Sequence, residues 1–364
     1  MSIQENLTEK ESQKRNGLKE KKPYVYEKIQ KFDEKLKRGE SIAIIQMQYN
    51  YECNFRCTHC SVKRFQGKNS SRSMNVEDVR NLAKQADELG LARFVITGGE
   101  PLIFKDFDEI VAAIDPQKFF INVDTNGWFL DLERAKHLKE IGVDRVQLSI
   151  DNMEEEGHDK FRAHAGSFQK TMDAVKACKD AELDIFIQTV VTKQRLYTEE
   201  FIRFIEYFNG MDIGVFVSFA KPVGAWEGQY DIMIDNEDLK FFNTLEQKYN
   251  VYSHLTPGYG LHMGCIAVKG MFSITQYGDV LPCPYIHVSI GNIFNEPLKD
   301  IIERGFGIKY FGEHVEECTI AQDKDFICNY VEKKIYNHEL PVNSEEVFGA
   351  EADTKVPFCK HFDA

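Results

Sequence analysis

Residues 42–61 read IAIIQMQYNYECNFRCTHCS. The first nine carry no charge and are mostly apolar, as a buried strand requires. The rest hold three thiols, Cys53, Cys57 and Cys60, in a C-x3-C-x2-C spacing. Ligand-type residues directly after a strand point to the C-terminal strand edge, where parallel α/β folds build their sites. Zinc sites usually pair C-x2-C units and close on four ligands. His59 could complete such a site, but the residues crowd a single ion. Thiolates also hold iron–sulfur clusters. Three of them leave one metal position open, which is the condition for catalysis rather than structure.

Strands and helices alternate onward from this stretch. Apolar runs at 93–99, 119–127, 145–151, 184–192 and 212–220 read as strands. Helical periodicity falls between them at 76–90, 106–114, 131–141, 168–182 and 198–209. Six strands with helical crossovers predict an α/β fold, a partial and open (β/α)6 TIM-type barrel over residues 42–225. Residues 226–258 read as a linker with a bridging helix at 236–248. Residues 259–364 read as a small cysteine-bearing domain that folds around metal. It contains a hairpin at 271–285 that turns at Tyr277-Gly278-Asp279. Residues 1–41 form an N-terminal extension with 11 basic and 8 acidic residues. Its first 22 residues read as flexible, and 24–38 as one amphipathic helix ended by Gly39. That helix reads as a solvated cover for one end of the barrel, or as a contact for an acidic partner.

The chain has 364 residues and a formal net charge of -13, which argues against broad binding to nucleic acid or anionic membrane. The polar start shows no signal peptide, and no apolar run is long enough to span a bilayer. A cytoplasmic location is expected, with no membrane and no nucleic-acid partner. Nine cysteines in a reducing compartment then read as metal ligands, catalytic thiols or buried small hydrophobes. Cys178, in a helix, reads as the last of these.

Gly98-Gly99-Glu100-Pro101 closes the second strand. With the cysteine triplet before it, this sequence resembles the radical S-adenosylmethionine enzymes, over residues 42 to about 330. The resemblance implies a [4Fe–4S] cluster on Cys53, Cys57 and Cys60, whose open iron takes the amino and carboxylate groups of S-adenosylmethionine. One electron, from a flavodoxin- or ferredoxin-type donor, then yields a 5′-deoxyadenosyl radical that abstracts a substrate hydrogen. The implied cosubstrate pocket holds Gly98, Gly99, Glu100, Pro101, Asn126, Ser149, Asp151 and Gln188. The glycines are expected to let the ligand approach closely. His59 is expected beside the adenine. No cobalamin is expected, since no helical domain for it precedes the barrel.

The late cysteines extend the likeness. Cys265 and Cys283 fit C-x12-G-x4-C, with Gly278 between them. This resembles the opening of the SPASM or shorter twitch extension, which carries auxiliary iron–sulfur clusters. HDKFRAHAGSF (158–168), KPVG (221–224) and GNIFNEPLKDII (291–302) resemble further stretches of those enzymes. Cys318 and Cys328 are separated by nine residues, so two members of the usual four-cysteine block are missing. One auxiliary [4Fe–4S] cluster is therefore expected, on Cys265, Cys283 and Cys328 with Cys318 or Cys359 as the fourth ligand. The remaining thiol, Cys359 or Cys318, would be free for chemistry, and zinc is the alternative metal. Lys221, Trp226, Tyr230, His262 and Tyr285 are candidate substrate contacts. The expected reaction is modification of a ribosomally made peptide by crosslink, thioether or epimerisation. The alternatives are dehydrogenation or epimerisation of a small alcohol, sugar or aminoglycoside, and oxidation of a Ser or Cys in a partner enzyme.

Overall fold

The structure, a computed structural model, describes residues 17–66, 72–255 and 264–349. Nine strands form one sheet. They are β1 (Ile44–Asn50), β2 (Arg93–Gly98), β3 (Phe120–Thr125), β4 (Arg145–Ser149), β5 (Asp184–Val191), β6 (Gly214–Phe219), β7 (Val251–Ser253), β8 (Met271–Ile274) and β9 (Val280–Leu281). The order is β7-β6-β5-β4-β3-β2-β1-β8-β9. All neighbours are parallel except the β8–β9 hairpin. β7 and β9 are the two edges, so the sheet is an open, partial barrel. The expected six-strand core is present. β7, in the expected linker, extends one side, and β8, from the cysteine-bearing segment, extends the other through β1.

The longer α-helices, of six residues or more, are α1 (Pro23–Gln30), α2 (Phe32–Lys37), α3 (Val76–Glu88), α4 (Phe107–Ile114), α5 (Leu132–Glu140), α6 (Glu155–Arg162), α7 (Ser167–Asp180), α8 (Glu199–Gly210), α9 (Asn236–Lys248) and α10 (Leu298–Gly307). Their starts are coded locally. Asn75 and Asp235 open α3 and α9 with reciprocal capping boxes, and Asp131 and Thr198 cap α5 and α8. α3 buries Val79, Leu82, Ala83 and Ala86, one helical face. Beneath the helices lie the strands' apolar rows, including Ile45, Met47, Phe94, Ile96, Ile121, Val123, Val146 and Leu148, all fully buried. The alternate row is mixed, with Ile44, Val95, Phe120, Phe186 and Phe216 among polar residues. Its polar members Gln46, Asn122, Asp124, Gln147, Gln188 and Ser218 line the barrel lumen with them.

The N-terminal extension differs from expectation. Residues 17–21 are helical rather than flexible, and residues 1–16 lie outside the described residues. The single helix expected over 24–38 is two, α1 and α2. The break at Lys31 lets both turn an apolar face, Val25 and Ile29 then Phe32, onto Ile42, Ala92 and Ile266. Three of the basic residues, Lys22, Lys28 and Lys35, are turned inward, while Lys19, Lys21, Lys31, Lys37 and Arg38 stay exposed. Lys28 Nζ donates to the carbonyls of Leu91 and Lys118 at 2.9 and 3.0 Å and pairs with Asp87 at 2.7 Å. Lys35 and Lys22 likewise donate to Leu89 O and Phe119 O. These carbonyls precede β2 and β3, so the lysines fasten a plug at the N-terminal end of the barrel. Among the described residues no helix is long and apolar enough to cross a membrane.

Candidate active site

The cysteine loop leaves β1 at the opposite, C-terminal end of the barrel. Cys53, Cys57 and Cys60 line one cavity of about 450 Å³ with Gly98, Gly99, Glu100, Asn126, Ser149, Gln188 and His59. Burial pushes the Cys53 thiol up to about 12 and also raises Cys57 and Cys60. Thiols so buried ionise only against positive charge. A metal cluster supplies such charge, so the donor set fits an iron–sulfur centre.

Backbone contacts fix the loop from both sides. Gly99 N donates to Asn50 O and Glu100 N to Glu52 O, both at 2.8 Å. A Cβ on Gly99 would lie 1.9 Å from Glu52 O, and one on Gly98 2.2 Å from Asn50 O. The glycines therefore admit the chain's own cysteine loop, where ligand approach was expected. On the far side Ala225 N donates to Cys60 O at 3.0 Å, and a Cβ on Gly224 (φ +63) would meet Cys60 O at 2.4 Å. Asn126 Nδ2 donates to Asn54 Oδ1 at 2.9 Å, and Thr58 N and Oγ1 both donate to Phe161 O.

Several expected cosubstrate contacts sit in the frame of the cavity. Glu100 is buried, and its carboxylate accepts from Thr125 Oγ1 at 2.6 Å, Asn126 N at 2.8 Å and Leu102 N at 3.0 Å. Burial raises its pKa while these bonds pull it back. Pro101 opens a buried 3-10 turn and does not line the cavity. Asp151 also lies behind the wall. It pairs with Arg162 at 2.6 Å and accepts from Val190 N at 2.8 Å. Burial works against its ionisation, but Arg162 foremost outweighs that and holds it at about 2. Ser149 and Gln188 do face the cavity, and Gln188 accepts from Gln147 at 2.8 Å. His59 stacks on Phe161 with ring centres 4.2 Å apart, near Trp226 at 5.7 Å. Burial drops its pKa to about 3, so it is a neutral aromatic wall.

Arg162, within the stretch HDKFRAHAGSF, carries no role that the sequence alone marks. Its guanidinium lines the cavity, with Nη1 3.9 Å from Cys57 Sγ. The polar side chains of the lumen row were also missed. Their signal is the period-two placement of Gln46, Asp124, Gln147 and Gln188 within apolar strands. Lys221, Trp226 and Tyr285 line the cavity as expected substrate contacts would. Tyr230 does not, and His262 lies outside the described residues.

Lys221 leads to the late cysteines. Its buried ammonium donates to Phe219 O at 2.6 Å and lies 4.1 Å from the centre of the Tyr285 ring. Burial lowers its pKa, and the nearby Cys318 and Cys283 raise it. Burial pushes Cys283 up to about 12, with Cys265 and Cys318 adding to it. Burial pushes Cys318 up to about 11, with Lys221 acting against it. His254 Nε2 lies 3.2 Å from Cys318 Sγ. Cys265, Cys283 and Cys318 thus form one buried group. Cys328, on the π-helical segment Ile327–Ile335, is buried and disulfide-bonded, unlike the free Cys265, Cys283 and Cys318. Cys359 lies outside the described residues. Cys178 is fully buried on the inner face of α7. Among the described residues no three His, Cys, Asp or Glu side chains gather around a single-ion site. A four-iron cage spreads its ligands more widely than one ion does.

Comparison with known proteins agrees with this architecture. Residues 47–208 match the radical SAM superfamily, and residues 265–321 match the SPASM iron–sulfur cluster-binding domain. An AdoMet-dependent heme synthase of Methanosarcina barkeri is 24% identical over 71% of this chain and 82% of its own length. A GTP 3′,8-cyclase of Campylobacter curvus is 28% identical over 59% of this chain and 66% of its own. Among solved structures, Streptococcus suis SuiB bound to precursor peptide SuiA superposes with a TM-score of 0.58 at 19% identity, covering 75% of this chain and 68% of that one. The chain belongs to the radical SAM superfamily and carries a SPASM extension. It is an enzyme of that class.

Proposed function

We propose that Cys53, Cys57 and Cys60 hold a [4Fe–4S] cluster beside S-adenosylmethionine, which together supply a 5′-deoxyadenosyl radical on one-electron reduction. The observation that carries this is the shared cavity of the three thiols, Ser149, Gln188 and the His59–Trp226 wall, at the open end of the lumen. In it Arg162 holds positive charge beside Cys57, and Asp151 fixes the guanidinium from behind. Glu100 and Asn126 set the shape of the strand ends. His59 and Trp226 give an apolar, uncharged face suited to a nucleobase. We assign one auxiliary cluster to Cys265, Cys283 and Cys318, which are free thiols. Cys328 is disulfide-bonded in this structure and would serve as the fourth ligand once reduced. Cys359 is the other candidate for that place. A flavodoxin- or ferredoxin-type protein is the electron donor.

The substrate is a ribosomally made peptide with one side chain entering the lumen. Support for this comes from the likeness in fold to SuiB with its precursor peptide. A second reading, dehydrogenation or epimerisation of a small alcohol, sugar or aminoglycoside, is favoured by the small size of the lumen and by the polar side chains Gln46, Asn122, Asp124, Gln147 and Gln188 set among its apolar walls. The test is deuterium transfer from labelled candidates into 5′-deoxyadenosine under reducing, anaerobic conditions. Transfer from a peptide supports the first reading, and transfer from a sugar or cyclitol the second. An enzyme with reconstituted clusters that never cleaves S-adenosylmethionine overturns both.

A further inference from the structure

Below the cysteines the lumen narrows to a cavity of about 240 Å³. Three acceptor oxygens on its wall are buried without a hydrogen-bond partner: Gln46 Oε1, Asn122 Oδ1 and Asp124 Oδ1. Asn122 is 8% exposed, and it is two residues from Asp124 on β3, so both face the same side. Val95 of β2 is in register with both Gln46 and Asn122, so the first and third strands present their oxygens at one level. The Gln46 side chain also hydrogen-bonds Asp124. Buried acceptors without donors are costly, and three together call for an explanation.

The missing counterpart is a group with several donors and no acceptor. A primary ammonium has three N–H donors and none to receive. Asp124 is the one carboxylate lining this cavity among the described residues. Of the cations there, Arg145 is committed to Asp184 and to the rings of Phe120 and Phe186, and Arg93 lies over Phe120. Lys221, in the upper cavity, donates to Phe219 O and Ser218 Oγ. Burial, with Glu100 adding its charge, pushes Asp124 up to about 7 in the absence of a ligand. A cation bound beside it would reverse that push.

We propose that Gln46, Asn122 and Asp124 form an amine subsite that takes a primary ammonium group of the substrate. This rests on reading the adjoining cavity as the site of radical formation. The amine could belong to an amino sugar or to a lysine side chain of a peptide, and the test separates the two.

The reconstituted holoenzyme with S-adenosylmethionine bound is titrated by calorimetry with glucosamine and with Gly-Lys-Gly blocked as its N-acetyl amide, so that the lysine side chain is its one amine. Glucose and the N-acetyl amide of Gly-norleucine-Gly are the neutral counterparts. A charge-assisted bond of this kind predicts that at least one cationic probe binds about ten-fold or more tightly than its counterpart. Preference for glucosamine assigns a small molecule, and preference for Gly-Lys-Gly a peptide. The preference falls to near unity in Asp124→Asn and grows in Gln46→Glu, which adds a second carboxylate. Equal binding of charged and neutral probes by the wild type, or an unchanged preference in both variants, overturns the subsite. Cleavage of S-adenosylmethionine by the wild type without probes is measured in parallel. If it is present while the preference is absent, the subsite alone fails. If cleavage is absent, the reading of the upper cavity fails.

Discussion

Arg162 Nη1 lies 3.9 Å from the sulfur of Cys57, while its Nη2 is 2.6 Å from Asp151. Both ends of the guanidinium are thereby committed, one to a proposed cluster ligand and one to a buried carboxylate. Removing the cation leaves Asp151 as an unpaired buried charge. Arg162→Met is expected to cost about 3–5 kcal/mol in stability, read from chemical denaturation. Adding Asp151→Asn to that variant recovers most of the loss. Cluster potential in Arg162→Met shifts negative, because positive charge near the sulfurs favours the reduced state. A potential unchanged from wild type would refute the contact.

The same pair predicts a pH dependence. Asp151 is held at about 2, below its ordinary range near 3.9. Its contribution to stability is therefore complete above about pH 4 and is lost as pH falls toward 2. Denaturation midpoints across that window should fall more steeply for wild type than for Asp151→Asn. Asp124 has the opposite sign. Its raised value gives stability below about pH 4 that is lost as pH rises toward 7. Asp124→Asn is expected to raise the midpoint above pH 7.

Gly99→Ala should displace the cysteine loop, since its Cβ meets Glu52 O at 1.9 Å. Iron bound per chain after reconstitution falls, and cleavage of S-adenosylmethionine falls with it. Gly210→Ala is the control. Nothing lies within 4 Å of that Cβ, and α8 ends there. The exchange should be neutral or stabilising by up to about 1 kcal/mol.

Iron analysis of single Cys→Ala variants separates the two centres. Loss of Cys53, Cys57 or Cys60 should remove about four irons, as should loss of Cys265, Cys283 or Cys318. Cys178→Ala keeps the full content. His254→Leu also keeps it, but the auxiliary centre shifts to a more negative potential in a redox titration followed by electron paramagnetic resonance. The reason is loss of the ring N–H beside Cys318, since hydrogen bonds to cluster sulfurs tune potential. An unshifted potential would show that the contact carries no electronic weight.

The barrel and its cysteine loop were legible in the sequence because both are written locally. The strand runs, the helical periodicity between them and the C-x3-C-x2-C spacing are each read from adjacent residues. What escaped depends on contacts between distant segments. Arg162 matters only once α6 is laid against residues 57–58. The lumen row is visible as scattered glutamines and an aspartate, but its meaning requires knowing which strand face turns inward. The lysines of α1 and α2 looked solvated because nothing nearby in sequence shows the carbonyls before β2 and β3 that receive them. Glu100 was read as a ligand contact because its motif ends a strand, and its partners Thr125 and Asn126 lie on the next strand over.

β8 completes the sheet by pairing with β1, Ile44 opposite Met271. The strand that launches the cysteine loop thus acquires its second neighbour only from a segment more than two hundred residues downstream. On a ribosome, six strands can emerge while β1 still has a bare edge and the Cys53–Cys60 loop has no Gly224 brace and no SPASM hairpin beside it. The frame around the Cys53–Cys60 loop is therefore finished only late in synthesis. A nascent chain halted before Met271 would leave that loop on an unfinished sheet.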